Sequence, residues 1–391
     1  MANRSTSTKY FLLLLLVLVV VSVFLWLSYY PVTRTVSGVV TPVASVPEVV
    51  LPTVTHLPTP EPLKGIYMSA CVAGTPSFRE KVIALVAETE LNAIMIDVKD
   101  YSGYLSSDLG RAEYVDQVSS RCSIADLPAL IKDLHEKNIY VIARITAFQD
   151  PYMATVIPDD TIKKLSDKTV NWKDGKGLNF IDPSSTRMGQ YLLELGLASY
   201  AVGFDEINYD YIRFPSDGNM KDIYYPLSEA RVVADPVLGK AKVMRDFFAF
   251  LHNGFRDTGI VISADLFGMT MTNPDDLNIG QILEFTAPYF DYIMPMVYPS
   301  HYPKGFNGYE NVNDYPYEII KYSMDRGVAR LQAATTSIHK LRPWLQDNDY
   351  PVHYTPEMVR EQIQATYDSG LTSWMLWDAG NTYTREALLT E

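Results

Sequence analysis

Gly203-Phe204-Asp205-Glu206-Ile207-Asn208-Tyr209-Asp210-Tyr211-Ile212-Arg213-Phe214-Pro215 is the stretch on which the fold turns. Its Phe, Ile and Tyr residues suit a pleated, half-buried strand. Asp205, Glu206, Asn208, Asp210 and Arg213 do not suit a buried strand unless they find partners. Side chains alternate faces along a strand, so Glu206, Asn208 and Asp210 share one face and Asp205, Ile207 and Tyr209 the other. Two readings follow: a surface strand with a solvated polar face, or a strand whose polar row lines a pocket.

Strand-like runs lie on both sides of it, at 65–68, 93–99, 140–145, 260–265, 292–298, 329–334 and 373–378. Between them, helical spacing of apolar residues appears at 77–89, 126–136, 186–200, 239–257, 279–285, 316–326 and 356–369. Strands alternating with helices imply a parallel sheet. Eight such units within 64–391 predict an α/β fold closed as a (β/α)8 TIM barrel. The rival is an open doubly wound sheet, which would carry a glycine-rich phosphate turn after its first strand. Ser69-Ala70-Cys71-Val72-Ala73-Gly74 supplies none.

Ahead of the barrel the composition changes. Residues 10–30 are uncharged and nearly all apolar, the length of a bilayer-crossing helix. Arg4 and Lys9 in the preceding segment 1–9 place the N-terminus in the cytoplasm. The reading is a transmembrane signal anchor, with cleavage near Val43-Ala44-Ser45 left open. Residues 31–63, rich in Pro, Val and Thr, read as an extended linker that holds the 64–391 domain off the membrane on its extracytoplasmic side. A formal charge of −13 argues against nucleic acid as a partner. The two cysteines, Cys71 and Cys122, could pair outside the cytoplasm, and two unpaired thiols fit the sequence almost as well.

Barrel enzymes place their sites at the C-terminal ends of the strands. The polar residues follow that rule: Asp97 and Lys99 on strand two, Arg144 on three, Asn208, Asp210 and Arg213 on four, Asp265 on five, Tyr298 on six, and Trp377 and Asp378 on eight. Each alone is explicable as a cap or an ion pair; their common rim is not. A pair of carboxylates, one protonated and one ionised, suffices to hydrolyse a glycosidic bond. Asp210 is assigned as nucleophile or base and Asp265 as general acid. The other rim residues are assigned to substrate binding, with Trp374, Trp377, Tyr298 and Tyr302 offering flat faces to sugar rings. Glu206, deepest in the row, is expected to be a structural partner of Lys99 or Arg144. The histidines show no HExxH spacing, and there is no G-x-S-x-G elbow, Walker sequence or Rossmann fingerprint, so neither metal nor cofactor is expected.

Taken in order, Ile96-Asp97-Val98-Lys99-Asp100-Tyr101-Ser102-Gly103, Ile139–Ile145 with Phe148-Gln149-Asp150-Pro151, Asp182-Pro183-Ser184, the 203–215 stretch, Ser263–Gly268, Ile293–Tyr302, Arg342–Gln346 and Trp374–Ala379 resemble a bacterial glycoside hydrolase domain family, formerly a domain of unknown function. The resemblance runs from Gly65 to Tyr383 and implies a (β/α)8 barrel related to polysaccharide-cleaving enzymes. Strand four is similar in pattern to that of family 18 chitinases, where Asp210 would be the acid; Asn208 departs from the Asp that orients the substrate acetamide there. It is also similar to retaining alpha-amylase and alpha-galactosidase barrels, which implies Asp210 as nucleophile and Asp265 as acid, although the amylase group normally has Glu at the latter position. The expectation is a membrane-anchored glycoside hydrolase acting on a cell-surface or envelope polysaccharide. The alternatives are a non-catalytic glycan-binding barrel and a structural envelope barrel.

Overall fold

The computed structural model describes residues 54–390, so the anchor expected at 10–30 and the segment before it lie outside the described residues. Among the described residues no helix is long and apolar enough to cross a membrane. Eight strands close a parallel barrel: β1 (Lys64–Met68), β2 (Ala93–Lys99), β3 (Tyr140–Thr146), β4 (Glu206–Asp210), β5 (Val261–Phe267), β6 (Tyr292–Met296), β7 (Trp344–Gln346) and β8 (Trp374–Trp377). Each pairs with its sequence neighbours, and β8 pairs back onto β1. Runs such as Ala93-Ile94-Met95-Ile96 are apolar throughout because both faces of the strand are covered. Helices α1 (Pro76–Ala87), α2 (Leu127–Glu136), α3 (Thr186–Ala201), α4 (Gly239–Phe255), α5 (Leu283–Thr286), α6 (Pro316–Ala333) and α7 (Pro356–Asp368) follow β1 to β7 in turn. A short antiparallel ribbon of Lys163–Lys164 and Ile223–Tyr224 ties together the long loops after β3 and β4.

Strand parity creates two cores. Outward residues such as Ile94, Ile96, Val141 and Ile207 pack with the helices. Inward residues, among them Tyr67, Met95, Tyr140, Ile142, Met294, Trp344 and Met375, fill the barrel. The inner core therefore stops where the polar tops of the strands begin.

The seventh strand differs from expectation. Residues 329–333 end α6 with Ala334 as its C-cap, and β7 is Trp344–Gln346. The run at 329–334 consists of Ala, Arg, Leu and Gln, strong helix formers without β-branching. The buried stripe Ile320, Ser323, Met324, Gly327 and Leu331 keeps helical spacing through it. Gly327 does not break the helix; its missing side chain makes room for Met271, whose Sδ would lie 2.8 Å from an added Cβ.

The last ten residues of the expected linker are packed against the N-terminal end of the barrel. Leu63 is buried, the Leu57 amide donates to Asp205 at 2.7 Å, and the Thr59 and Tyr140 hydroxyls are 3.0 Å apart. His56 stacks on Tyr200 at 3.8 Å. Asp205, on the outward face of the strand as parity requires, also accepts from the Val141 amide at 2.8 Å and meets the His135 ring at 2.9 Å. A chain beginning at residue 64 loses one fully buried Leu and a donor to a buried carboxylate. It should be less stable than one beginning at residue 54 by about 3 kcal/mol in urea unfolding. Equal midpoints would show that this strap is not part of the folded unit.

Candidate active site

The polar row of β4 is stacked by depth inside the barrel. Glu206, Asn208 and Asp210 are all buried. At the bottom, both Glu206 oxygens accept from Arg342 Nη1, at 2.9 and 3.0 Å, and the Tyr140 hydroxyl lies 3.3 Å away. Its partner is therefore Arg342, not the expected Lys99 or Arg144. Arg342 reaches it because it precedes β7, two residues before the inward Trp344, in the segment that the expected strand at 329–334 left out. One layer up, Asn208 Nδ2 donates to Ser263 Oγ at 3.1 Å and to Asp265 Oδ1 at 3.0 Å. Its own Oδ1 is buried without a hydrogen-bond partner among the described residues.

At the top of the row, Arg144 holds Asp210. Its Nε donates to Asp210 Oδ2 at 3.1 Å and its Nη2 reaches the same oxygen. The third nitrogen, Nη1, donates to Asp97 Oδ1 at 2.6 Å, and Asp97 Oδ2 accepts from the Tyr67 hydroxyl at 2.5 Å. Burial and the neighbouring Asp97 carboxylate push the Tyr67 hydroxyl well above its ordinary pKa, which keeps it a donor. The guanidinium also lies near the Tyr67 and Trp377 rings, 5.6 and 5.5 Å from their centroids. Asp210 Oδ1 accepts from the Tyr211 amide at 2.6 Å, and Tyr211 itself is left-handed, with φ of +51°.

Asp265 is treated differently. The β4–β5 register pairs Asn208 with Ser263 and Tyr209 with Ala264, so Asp265 follows Ser263 on the inward face, at the level of Asp210. Its Oδ1 accepts from Asn208 and from Trp344 Nε1 at 2.9 Å, and no cation pairs with it among the described residues. Burial, reinforced by the Asp210 charge, lifts its carboxyl well above the usual carboxylate range; Arg144, Trp344 and Asn208 oppose that rise without reversing it.

These groups open onto a cavity of about 190 Å³. Arg144, Asp210 and Asp265 line it with Arg213, and Tyr298, Trp344 and Trp377 supply aromatic walls. Thus Asp210, Asp265, Arg144, Arg213, Tyr298 and Trp377 share one cavity, while Asp97 and Asn208 stand behind it as partners of Arg144 and Asp265. Two expected binding residues lie elsewhere. The β2–β3 register slips between Asp97 and Lys99, so Asp97 pairs with Arg144 but Lys99 pairs with Ile145. The bulge turns Lys99 out of the barrel interior, and it forms a fully buried pair with Asp150 at 2.7 Å. Asp378 follows the inward Trp377 and so points outward, accepting from the Gly380 and Thr382 amides to cap a turn. Trp374 and Tyr302 also turn away from the cavity, bonding Tyr367 and Ser323 respectively.

Sequence reasoning missed Tyr67, Trp344, Tyr211 and His301 as site residues. For Tyr67 the signal was present, since an inward Tyr near the top of β1 obeys the rim rule used for the other strands. Trp344 was hidden by the misplaced seventh strand. Cys71 and Cys122 are joined as a disulfide that ties the segment after β1 to the loop after β2. Among the described residues no cluster of three or more His, Cys, Asp or Glu is placed to hold a metal ion.

Residues 65–383 match a family described as "Putative glycosyl hydrolase domain". No curated protein matches the chain. Among solved structures, the glycoside hydrolase domain of PgaB (BpsB) from Bordetella bronchiseptica is similar in fold, with a TM-score of 0.55 and 13% identity over 82% of this chain and 95% of that one. The catalytic domain of a beta-amylase from Paenibacillus polymyxa gives 0.53 and 10%, over 84% and 95% of the two chains. A hypothetical protein from Ruminiclostridium thermocellum is 27% identical over 51% of this chain and 96% of its own, with a TM-score of 0.43.

Asp265 also makes a stability prediction. A carboxyl with a raised folded-state pKa costs nothing while both states are protonated, and destabilises the fold progressively as pH climbs from the unfolded value, about 4, toward the folded one. Asp265→Asn stays neutral and keeps an oxygen for Asn208 and Trp344. Its unfolding free energy should therefore rise relative to wild type as pH climbs above about 4, in urea titrations at stepped pH. A difference independent of pH would show that Asp265 is not held protonated.

Proposed function

The chain belongs to this glycosyl hydrolase domain family, and from that we propose that it hydrolyses an O-glycosyl bond of a carbohydrate, with Asp265 as general acid and Asp210 as nucleophile or base. The observation that carries the reading is the unequal environment of two carboxyls at the ends of neighbouring strands. Asp210 accepts two bonds from Arg144. Asp265 has no cation and is pushed toward its neutral form by burial and by Asp210. A glycosidase needs that division, because one carboxyl must give a proton to the leaving oxygen while the other offers charge to the anomeric carbon or to water. Asn208 and Trp344 both bond the same oxygen of Asp265, which leaves the other oxygen to carry the proton. Trp377 and Tyr298 give a sugar ring apolar faces, and Arg144 fixes the orientation of Asp210.

A glycan-binding or structural barrel would need no such division. Incubating the full chain with a panel of polysaccharides and following reducing ends separates the readings. Wild type should release reducing ends from at least one polymer. Asp265→Asn should lose about 10²–10⁴ in kcat/KM, the usual contribution of a positioned acid. Activity should fall as pH rises through the raised Asp265 range. Turnover unchanged in Asp210→Asn would remove that residue from the mechanism, and a panel without products would favour a binding role.

We also propose that residues 10–30 anchor the protein as a single-pass span with the barrel outside the cytoplasm, where the substrate would be a surface or envelope polysaccharide. Their uncharged, apolar composition and the basic residues before them support this. The protein should sediment with membranes, resist extraction by high salt, and lose its barrel to protease added outside intact cells. Recovery in the soluble fraction would refute the anchor.

A further inference from the structure

We propose that the glycan entering the cavity carries an anionic substituent, a carboxylate or a phosphate, and that Arg213 receives it. The idea rests on the hydrolase reading for its polymer and on Arg213 alone for its charge. Arg144 and Arg342, the arginines inside the barrel, both meet carboxylates. Arg213 lines the same cavity as Asp210 and Asp265, from the segment just after β4, and pairs with no carboxylate among the described residues. Its Nη1 donates to the Phe214 carbonyl and to Ser216 Oγ, each at 3.1 Å, so Nε and Nη2 have no described partner. Shortage of acid is not the cause, because acidic residues outnumber basic ones 46 to 33 in the chain.

The group is also oriented. Its guanidinium lies 5.0 Å from the centroid of the Tyr211 ring, and Tyr211 is itself fixed by its left-handed backbone and its amide bond to Asp210. An arginine held against an aromatic face presents a planar fork of donors, which matches carboxylate and phosphate oxygens. Arg144, the other arginine at the cavity, is already shared between Asp97 and Asp210 and has no such edge to offer.

The test is a binding measurement on the full chain carrying Asp265→Asn, which leaves Arg144 held by Asp97 and Asp210 and lets binding be read with turnover suppressed. The probes are polygalacturonate and hyaluronate, each beside its carboxyl-reduced form, and a phosphorylated glucan beside its phosphatase-treated form. One charged polymer should bind at least about tenfold more tightly than its uncharged counterpart, and Arg213→Gln should cut that ratio by about tenfold or more, as loss of a charge-assisted hydrogen bond does. Arg213→Lys, which keeps the charge but not the fork, should retain part of the preference, and unfolding midpoints check that each variant is folded. The pair that shows the preference identifies carboxylate or phosphate as the source. Equal binding of charged and uncharged forms, binding to none of the polymers, or a preference that persists in Arg213→Gln overturns the proposal. An Arg213-dependent preference together with a wild type that cleaves no polymer of the panel would keep this inference and remove the hydrolase reading.

Discussion

One guanidinium sets the chemistry of this barrel. Arg144 is buried, and its three nitrogens are divided between Asp97 and Asp210. Three carboxyls, Asp97, Asp210 and Asp265, thus crowd the top of the barrel around one cation. Two of them touch it and the third does not. In a medium of low dielectric, a third ionised carboxyl without a cation would be costly, so the cheaper state is the neutral one. Asp265 is driven toward protonation first by burial and then by the Asp210 charge, and Arg144, held by Asp97 and Asp210, does not reverse the rise. Asp97, assigned from the sequence to substrate binding, has instead a role in dividing Arg144, with the Tyr67 hydroxyl fixing its other oxygen.

The remaining interior follows from the same constraint at a lower level. Glu206 sits where no solvent reaches and takes Arg342 as a private partner. Buried pairs of this kind add little net stability, because desolvation offsets most of the attraction. Their consequence here is geometric. With Glu206 satisfied by Arg342, Arg144 is left to the upper layer, and Asn208 between the layers bridges β4 to Asp265 on β5. The order Glu206, Asn208, Asp210 along one strand becomes a vertical order of structural pair, bridge and cavity-lining carboxyl.

That order was legible in the sequence because it depends only on the period of two along a strand. The same period separated Asp205 from the row, and Asp205 does face outward to tie the 54–63 strap against the barrel. Strand count and closure were legible as well, since each β/α unit carries its own signal. What failed needed information about neighbours. Lys99 shares parity with Asp97, and only the slip in pairing with β3 turns it away. The β7 strand is three residues long and begins at Trp344 after a proline, too short to compete with an alanine-rich run that proved to be helix. The Arg342–Glu206 pair spans 136 positions, so no local pattern could have proposed it. Proline, valine and threonine in the 31–63 segment read as linker although its last residues bury Leu63 and cap the barrel end, because burial of such a segment depends on the surface it meets.

Tyr211 connects the strand to the cavity. A bulky residue in the left-handed region costs on the order of 1–2 kcal/mol, and such conformations persist where surrounding structure enforces them. Here the enforcing contacts can be named. The Tyr211 carbonyl accepts from the Phe148 amide at 3.3 Å, its amide turns back to Asp210 Oδ1, and its ring lies beside Arg213. An extended backbone at this position would continue the strand past the cavity. The left-handed turn ends β4 at Asp210 and brings Arg213 back over the opening. The strain is thus spent on converting a regular strand into the edge of a cavity, which is why the polar row stops where it does and why the next charged side chain, three residues on, faces the same cavity.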